Sequence, residues 1–357
     1  MLARQLRSQE GKLDVQYPVP ESTRMERAWA RVEPWLGPEV LNAPALVRLQ
    51  GISFLGLLDL QPDVRRTSSR LEHAVAVAAL GCDVAEALHL SKGDGALLVA
   101  GCLLHDIGHY PLSHAAESAF EHLTGADHHE RTRSILLEDE LIAGIQPLGG
   151  TLRASGLDPE AVWQLIQGDS ARADGLGFLL TAPINLDTLD GIRRTAQAFG
   201  LAALEMEQPF GLVDGRIVLR QDAIPACDAF WQLKNDVYQN IVERPSNILA
   251  EQSLAERLLE LGPKDLPPFA ALDDAWLHGN LRTSTDSARD AEFAVAGFEA
   301  VPARARRTLK RYWVDPTFEP SSSGLPIEFW HRRYQHARQA GYVIPRTSVH
   351  GRDSEVP

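Results

Sequence analysis

The sequence predicts an all-α protein, and three observations carry that prediction. Apolar residues recur at helical spacing through most of the chain: from Leu71 to Leu90 they fall at Leu71, Val75, Ala78, Ala79, Cys82, Ala85 and Leu88, close to the i, i+3, i+4 rhythm of one helix face. Helix start signals stand where the rhythm begins. Ser69-Arg70-Leu71-Glu72 is a capping-box pattern, and Asn185, two residues after Pro183, suits an N-cap. Strand-like text is sparse and centres on Gly211–Leu219, where two short apolar pieces flank the turn dipeptide Asp214-Gly215.

Read in order, helical text covers 24–36, 40–58, 71–90, 94–107, 113–124, 128–143, 159–167, 185–199, 225–243 and 246–261. Residues 262–290 are rich in Pro, Asp and Ser, and 315–325 hold Pro316, Pro320 and three consecutive serines. These read as a loop and a linker before a last short helix near 326–340. The expected organisation is an N-terminal helical extension (1–39), a helical core with a small β-hairpin (40–262), and a looser, mainly helical C-terminal part (263–357). The basic text there (Arg304, Arg306, Arg307, Lys310, Arg311, Arg332, Arg333) reads as a solvated helix face, with an anion or subunit contact as the minor alternative.

A chain of 357 residues, 44% hydrophobic and 23% charged, can bury a full-sized core. Its net charge of −13 argues against an extended grip on nucleic acid, which needs a basic surface. A small anionic substrate stays open, because a metal and a few arginines reverse the field locally. Three scattered cysteines form no disulfide framework and no Cys-based zinc site. Met1 to Tyr17 lacks the apolar stretch of a signal peptide, and no run reaches the ~20 apolar residues that span a bilayer. A cytoplasmic protein with no membrane contact is expected.

His105-Asp106 closes the apolar run 96–104. A buried imidazole and carboxylate are costly unless they are paired or hold a metal. Alone, the dipeptide fits a structural ion pair as well as a ligand pair. His73 lies upstream on another helix and Asp187 downstream on a third. Two histidines and two carboxylates suit a divalent cation with open positions, and imidazole favours Mn, Fe, Co, Ni or Zn over a pure Mg site. Such a cation activates water and polarises a phosphoryl oxygen. Arg70 stands at a helix N-terminus, where dipole and free N–H groups attract anions. Its i, i+3 spacing puts it on the His73 face, as a candidate phosphate contact.

The order His73…His105-Asp106…Asp187 resembles the HD-domain metal-dependent phosphohydrolases, and the local text is closest to their dNTP triphosphohydrolase branch (the sterile-alpha-motif/HD and dGTPase-like enzymes). Thr67-Ser-Ser-Arg-Leu-Glu-His73 is similar to that branch's T-x-x-R-F-E-H segment. His105-Asp-Ile-Gly-His-Tyr-Pro-Leu-Ser-His114 resembles H-D-x-G-H-x-P-F-S-H, and Ile184-Asn-Leu-Asp-Thr-Leu-Asp190 is similar to I-D-x-D-x-x-D. The likeness covers roughly 45–200 and implies an HD core within 40–262. It implies that His73, His105, Asp106 and Asp187 bind the metal. It further implies that His109 and His129 face the substrate phosphates, with His109 protonating the leaving oxygen and Glu117 orienting it. His128 is the neighbour of His129, and one of the two is expected to face solvent; His114 is expected to be structural.

The chain departs from the branch at three positions. Gly191 stands where a sugar-facing Tyr follows the second Asp, Thr188 where a phosphate-binding Lys can follow the metal Asp, and Thr195 where an Asp often follows Arg. Arg193 and Arg194 are candidate replacements on the phosphate side, Arg194 the one assigned to it. The resemblance thus implies hydrolysis of (deoxy)nucleoside triphosphates to nucleoside and triphosphate, with Mg on the substrate phosphates as an addition and a homo-oligomer as the assembly. A nucleoside monophosphatase or phosphodiesterase on the same metal site is the alternative that the departures keep open. A catalytically silent nucleotide sensor or partner-binding module is the third reading.

Overall fold

A computed structural model describes residues 21–138, 144–168, 175–202, 204, 206–283 and 304–345. The described chain begins with α1 (Glu21–Leu36), whose Val32 and Leu36 are buried. Arg31 pairs from it with Asp83 and Glu86 of α2 (Arg70–Ala87). Between them the text expected to be one helix over 40–58 is broken. Pro38–Leu41 and Pro44–Val47 each make one turn, and 3₁₀ turns follow at Arg48–Gly51 and Gly56–Leu60. Pro44 opens a new turn instead of continuing the old one, and Ile52 is extended, so apolar spacing alone overstated the helix.

α2 and α3 (Lys92–Leu104) form the centre of the core. Ser69 Oγ accepts the Glu72 amide, and Ser91 Oγ accepts that of Asp94. Each cap satisfies an amide that the first turn leaves free. Both helices are buried on most of their circumference, which is why their text is apolar all round. α3 ends at His105, so His105-Asp106 stands at the rim of the core.

The next helices frame that rim. They are α4 (Glu117–Thr124), α5 (His128–Leu137), α6 (Pro159–Ile166) and α7 (Leu186–Ala198). A capping box of Asp127 and Glu130 starts α5, and Asn185 caps α7 by accepting the Thr188 amide at 2.8 Å. α5 ends at Leu137; the expected continuation through 139–143 lies outside the described residues. Gly108 lets α5 come close: a Cβ there would lie 2.2 Å from the His128 carbonyl oxygen and 2.5 Å from the Thr132 nitrogen.

The hairpin is present as β1 (Phe210–Val213) and β2 (Arg216–Leu219), turned through Asp214 and Gly215 at φ 51° and 72°. α8 (Ile224–Val237) follows and widens into one π turn at Tyr238–Val242 before α9 (Pro245–Leu259). Residues 274–283, expected to be loop, form α10 (Asp274–Thr283). Asp273 Oδ1 accepts the Trp276 amide at its start. The Asp-Ser-rich composition of 262–290 therefore includes a helix start as well as loop.

The C-terminal part departs most from expectation. β3 (Arg304–Val314) pairs antiparallel with β5 (Tyr334–Pro345), with a register shift between Arg307 and Leu309. The short β4 (Leu325–Pro326) pairs with β2. The basic residues read as a helix face thus lie on a strand, and the helix expected over 326–340 is reduced to Trp330–Arg333. The ribbon is tied to α8. Trp231 Nε1 donates to the carbonyls of Trp313 (3.1 Å) and Gln335 (3.0 Å), and Arg333 pairs twice with Asp228, at 3.0 and 2.5 Å. Val32 and Leu36 share one buried cluster with Trp330 and Tyr334, so the core continues across residues 39/40 and 262/263. Among the described residues, no helix is long and apolar enough to cross a membrane.

Candidate metal centre

His73 from α2, His105 and Asp106 from the end of α3, and Asp187 from the first turn of α7 converge. His73 Nε2 lies 3.1 Å from Asp187 Oδ1 and 3.7 Å from Asp106 Oδ2; His105 Nε2 lies 3.6 and 3.4 Å from the same two atoms. Both Nε2 atoms are buried and lack a hydrogen-bond partner. Their other nitrogens explain this. His73 Nδ1 donates to Asp190 Oδ2 at 2.7 Å, and His105 Nδ1 donates to the Cys102 carbonyl at 2.9 Å. A donating Nδ1–H leaves the Nε2 lone pair as the free group. Two imidazole lone pairs and two carboxylates facing one point are the donor set of a divalent transition metal, and these residues fit one.

The charges agree with the geometry. Burial works to raise the Asp106 carboxyl, but His105, His109 and Arg70 outweigh it and hold it well below the usual carboxylate range. Asp187 follows the same pattern, with burial overcome by His105 and His73. Asp190 does too, with burial overcome by Arg194 and His73. All three are therefore carboxylates at neutral pH. Arg70 Nη1 donates to Asp106 Oδ2 at 2.5 Å and its Nε to Ser113 Oγ at 2.7 Å, which fixes the guanidinium beside the cluster.

A second group of imidazoles adjoins the first. His109 is fully buried, with Nε2 3.4 Å from Asp106 Oδ1, and its ring stacks on His128 at 4.2 Å between centroids. Burial, aided by Arg70, pushes its pKa well below normal, so His109 is neutral. Glu117 does not bond it. Instead the Glu117 carboxylate accepts from His114 Nδ1 at 2.9 Å and from His128 Nδ1. Burial would raise Glu117, yet these two imidazoles pull it far below its ordinary value. The sequence expectation of a Glu117–His109 pair is thus corrected to Glu117 bridging His114 and His128. At the His128-His129 pair, His128 faces Glu117 and His129 is exposed. The cap at Asp127 puts the buried position one residue earlier than motif alignment suggests.

A cavity of about 460 Å³ opens beside the cluster of His73, His105, Asp106 and Asp187, within the range of small-ligand sites. Arg70, His114, Glu117, Asp187, Thr188 and Lys234 line its polar side, and Phe54, Leu58, Ile192, Val237 and Tyr238 its apolar side. A Cβ at Gly191 would lie 3.4 Å from Phe54 Cζ. Phe54, whose ring lies 4.6 Å from that of His73, thus brings an aromatic face beside the residue where the branch has tyrosine. Arg194 is placed elsewhere. Its Nε and Nη2 donate to Asp190 at 2.8 and 3.2 Å and Nη2 also reaches the Glu72 carbonyl, so it stands behind His73 and lines a different cavity. Sequence reading missed Asp190 as a partner of His73, and missed Lys234 and Phe54; the i, i+4 pair Asp190/Arg194 was the available signal for the first.

The loops are held by one acid. Asp274 accepts the Ser53 amide at 2.8 Å and the Leu112 amide at 2.7 Å, joining the segments on either side of Arg70. Leu112 and Ser113 are consecutive left-handed residues (φ 54° and 52°), a strained turn that these bonds and Arg70 support.

Comparison with known proteins matches this region to one family: the HD domain model matches residues 70–174. Residues 70–174 are thus similar in sequence to the HD domain. The matched span contains His73, His105, Asp106, His109, His114, Glu117 and His128, while Asp187 and Lys234 lie beyond it. The chain is 26% identical over 167 residues to the Bacillus subtilis uncharacterized protein YwfO, covering 45% of this chain and 36% of that protein. It is 26% identical over 239 residues to the Mycoplasma genitalium uncharacterized protein MG461, covering 60% and 54%. It thus spans about a third to a half of the length of these relatives. The fold is shared with a phosphohydrolase from Bacteroides thetaiotaomicron (TM-score 0.59, 16% identity, 76% of this chain and 74% of that one). It is also shared with a hypothetical protein from Aquifex aeolicus (TM-score 0.64, 18% identity, 82% and 86%).

Proposed function

We propose that the HD domain works as a metal-dependent phosphohydrolase that cleaves (deoxy)nucleoside triphosphates to nucleoside and triphosphate. The observation that carries the proposal is the pair of buried, unpartnered Nε2 atoms of His73 and His105 facing Asp106 and Asp187 beside a ligand-sized cavity. A divalent cation bound there would supply Lewis-acid charge to a phosphoryl oxygen and lower the pKa of water.

The remaining roles belong to side chains. Arg70, fixed by Asp106 and Ser113, offers positive charge to phosphoryl oxygens where the cavity meets the cluster. His114 lines that cavity with its Nδ1 held by Glu117. Burial lowers the His114 pKa overall while Glu117 works to raise it, and Nε2 is the nitrogen left to carry a proton to the substrate. Hydrolysis adds one water across the phosphorus–oxygen bond, and the departing nucleoside 5′-oxygen takes that proton. The role that the resemblance implied for His109 passes to His114, because His109 is fully buried and does not line the cavity. His109 instead packs under the pair bridged by Glu117. The apolar side, with Phe54 and Tyr238, provides a surface for a sugar and base.

The test is product analysis. Protein reconstituted with Mn²⁺ or Co²⁺ is incubated with dNTPs, NTPs, NMPs and cyclic and linear dinucleotides, and products are resolved by mass. Nucleoside plus inorganic triphosphate is expected. Orthophosphate or NMP as the product would move the assignment to a phosphatase or phosphodiesterase, and no turnover with any substrate would leave a binding module.

A further inference from the structure

Lys234 lies in the last full turn of α8, one turn before Tyr238, and only 7% of it is exposed. A buried ammonium normally has a carboxylate against it, because an unpaired charge in a protein interior is costly. Among the described residues Lys234 makes no ion pair within 4.0 Å. Its Nζ lies instead over the rings of Trp231 (4.6 Å) and Tyr312 (5.0 Å). Burial pushes its pKa down to about 8, with Lys310 adding to the effect and Asp187 opposing it. The two rings offset part of that penalty, but a methionine or leucine there would fill the same space without incurring it.

The cavity supplies a reason for a lysine. Lys234 lines the cavity that Arg70, Asp187, Thr188 and Lys310 also line. Thr188, directly after Asp187, brings no charge to that wall, and Lys234 brings one from a different helix. Of the further acids lining it, Glu243 accepts from Arg311 Nη1 at 2.6 Å and from the Lys310 amide at 2.5 Å, and Glu251 accepts from Asn247 Nδ2 at 3.1 Å.

We infer that Lys234 is a specificity-determining residue that grips the far phosphates of an oligophosphate chain whose near phosphate lies at Arg70 and the metal cluster. This rests on the phosphohydrolase reading for the placement of the near phosphate, but it concerns anion binding and not turnover. Lys234 would select chain length: an oligophosphate reaches it, whereas a single phosphate at Arg70 does not.

The experiment uses the full chain loaded with Mn²⁺, its metal content checked by elemental analysis, and titrates inorganic tripolyphosphate and orthophosphate calorimetrically. For Lys234→Met, tripolyphosphate affinity should fall by at least about tenfold, the scale of one lost charge-assisted hydrogen bond. Orthophosphate affinity and metal content should stay within about twofold of the parent. Thermal stability should be unchanged or higher, as it would not be if the lysine were structural. Lys234→Arg should restore most of the tripolyphosphate affinity. Tripolyphosphate binding by Lys234→Met within twofold of wild type, or equal losses for both anions, would overturn the inference, as would absence of tripolyphosphate binding to the wild-type protein. A protein that binds tripolyphosphate through Lys234 yet hydrolyses no nucleotide would refute the proposed activity and leave this assignment standing.

Discussion

His73 Nδ1 and Asp190 Oδ2 lie 2.7 Å apart, and Arg194 holds the same carboxylate from its other side at 2.8 Å. This relay fixes which nitrogen of His73 carries the proton and so which one is left free to bind a metal. Carboxylate–histidine pairs of this kind change metal affinity by about 10–100-fold when broken. Asp190→Asn should therefore weaken Mn²⁺ binding on that scale, with the circular dichroism spectrum retained. Arg194→Ala, which leaves Asp190 in place, should weaken it less. Equal metal affinity in Asp190→Asn and wild type would remove Asp190 from the account.

Glu117 should carry a measurable part of the acid sensitivity of the fold. Its pKa in the folded protein is depressed by His114 and His128, whereas an unfolded glutamate titrates near 4.3. A depressed folded pKa gives stability that is present above the unfolded value and lost as pH falls through and below it. Glu117→Gln should thus be less stable than wild type at pH 6–7, by about 1–3 kcal/mol for the charge-assisted bonds lost. The gap should narrow steadily from pH 5 to pH 3. Denaturant titrations across that range would detect it; a gap that is constant with pH would contradict the pairing.

The two adjacent histidines of α5 and the cavity histidine should separate cleanly in kinetics. His114→Ala should lower kcat by about 10²–10⁴-fold, the usual contribution of a positioned acid. His129→Ala, exposed and without a bond to Glu117, should stay within about threefold of wild type under the same steady-state assay. A large loss in His129→Ala with His114→Ala active would restore the motif-based assignment.

Gly108 tests the close contact between the HD turn and α5. Alanine there would drive its Cβ into the His128 carbonyl and the Thr132 amide, neither of which is a flexible side-chain end. Overpacking of this kind costs about 1–3 kcal/mol. Gly108→Ala should lower the melting temperature and, by displacing His128, reduce turnover more than metal content. An unchanged melting temperature would mean that α5 is not held as closely as described.

Much of the core was legible in the sequence because its signals are local. Ser69 and Asn185 cap helices by bonds to amides three residues on, as their sequence contexts predict, and the apolar positions after them are buried. Three of the four cluster residues lie in the HD segment, and spacing made them visible. What stayed hidden depends on distant partners. The ribbon of β3 and β5 joins segments whose strands are separated by a serine-rich turn, and its basic alternating text has no strong apolar face until Trp231 and Arg333 anchor it to α8. Lys234 reads as an ordinary helix cation until Trp231, Tyr312 and the cavity surround it. Which of His128 and His129 turns inward is a one-residue question of helix phase, and the Asp127 cap answers it only once that cap is recognised.

In the proposed function, His73, His105, Asp106 and Asp187 hold one divalent cation on which phosphate hydrolysis depends. The most direct test is a parallel titration of chelator-stripped wild type and His105→Ala/Asp106→Ala with Mn²⁺, reading bound metal and nucleotide turnover in the same samples. Wild type should gain metal and turnover together, and the double variant should gain neither while remaining folded. Turnover that survives in the double variant, or metal that binds it as tightly as wild type, would contradict the account.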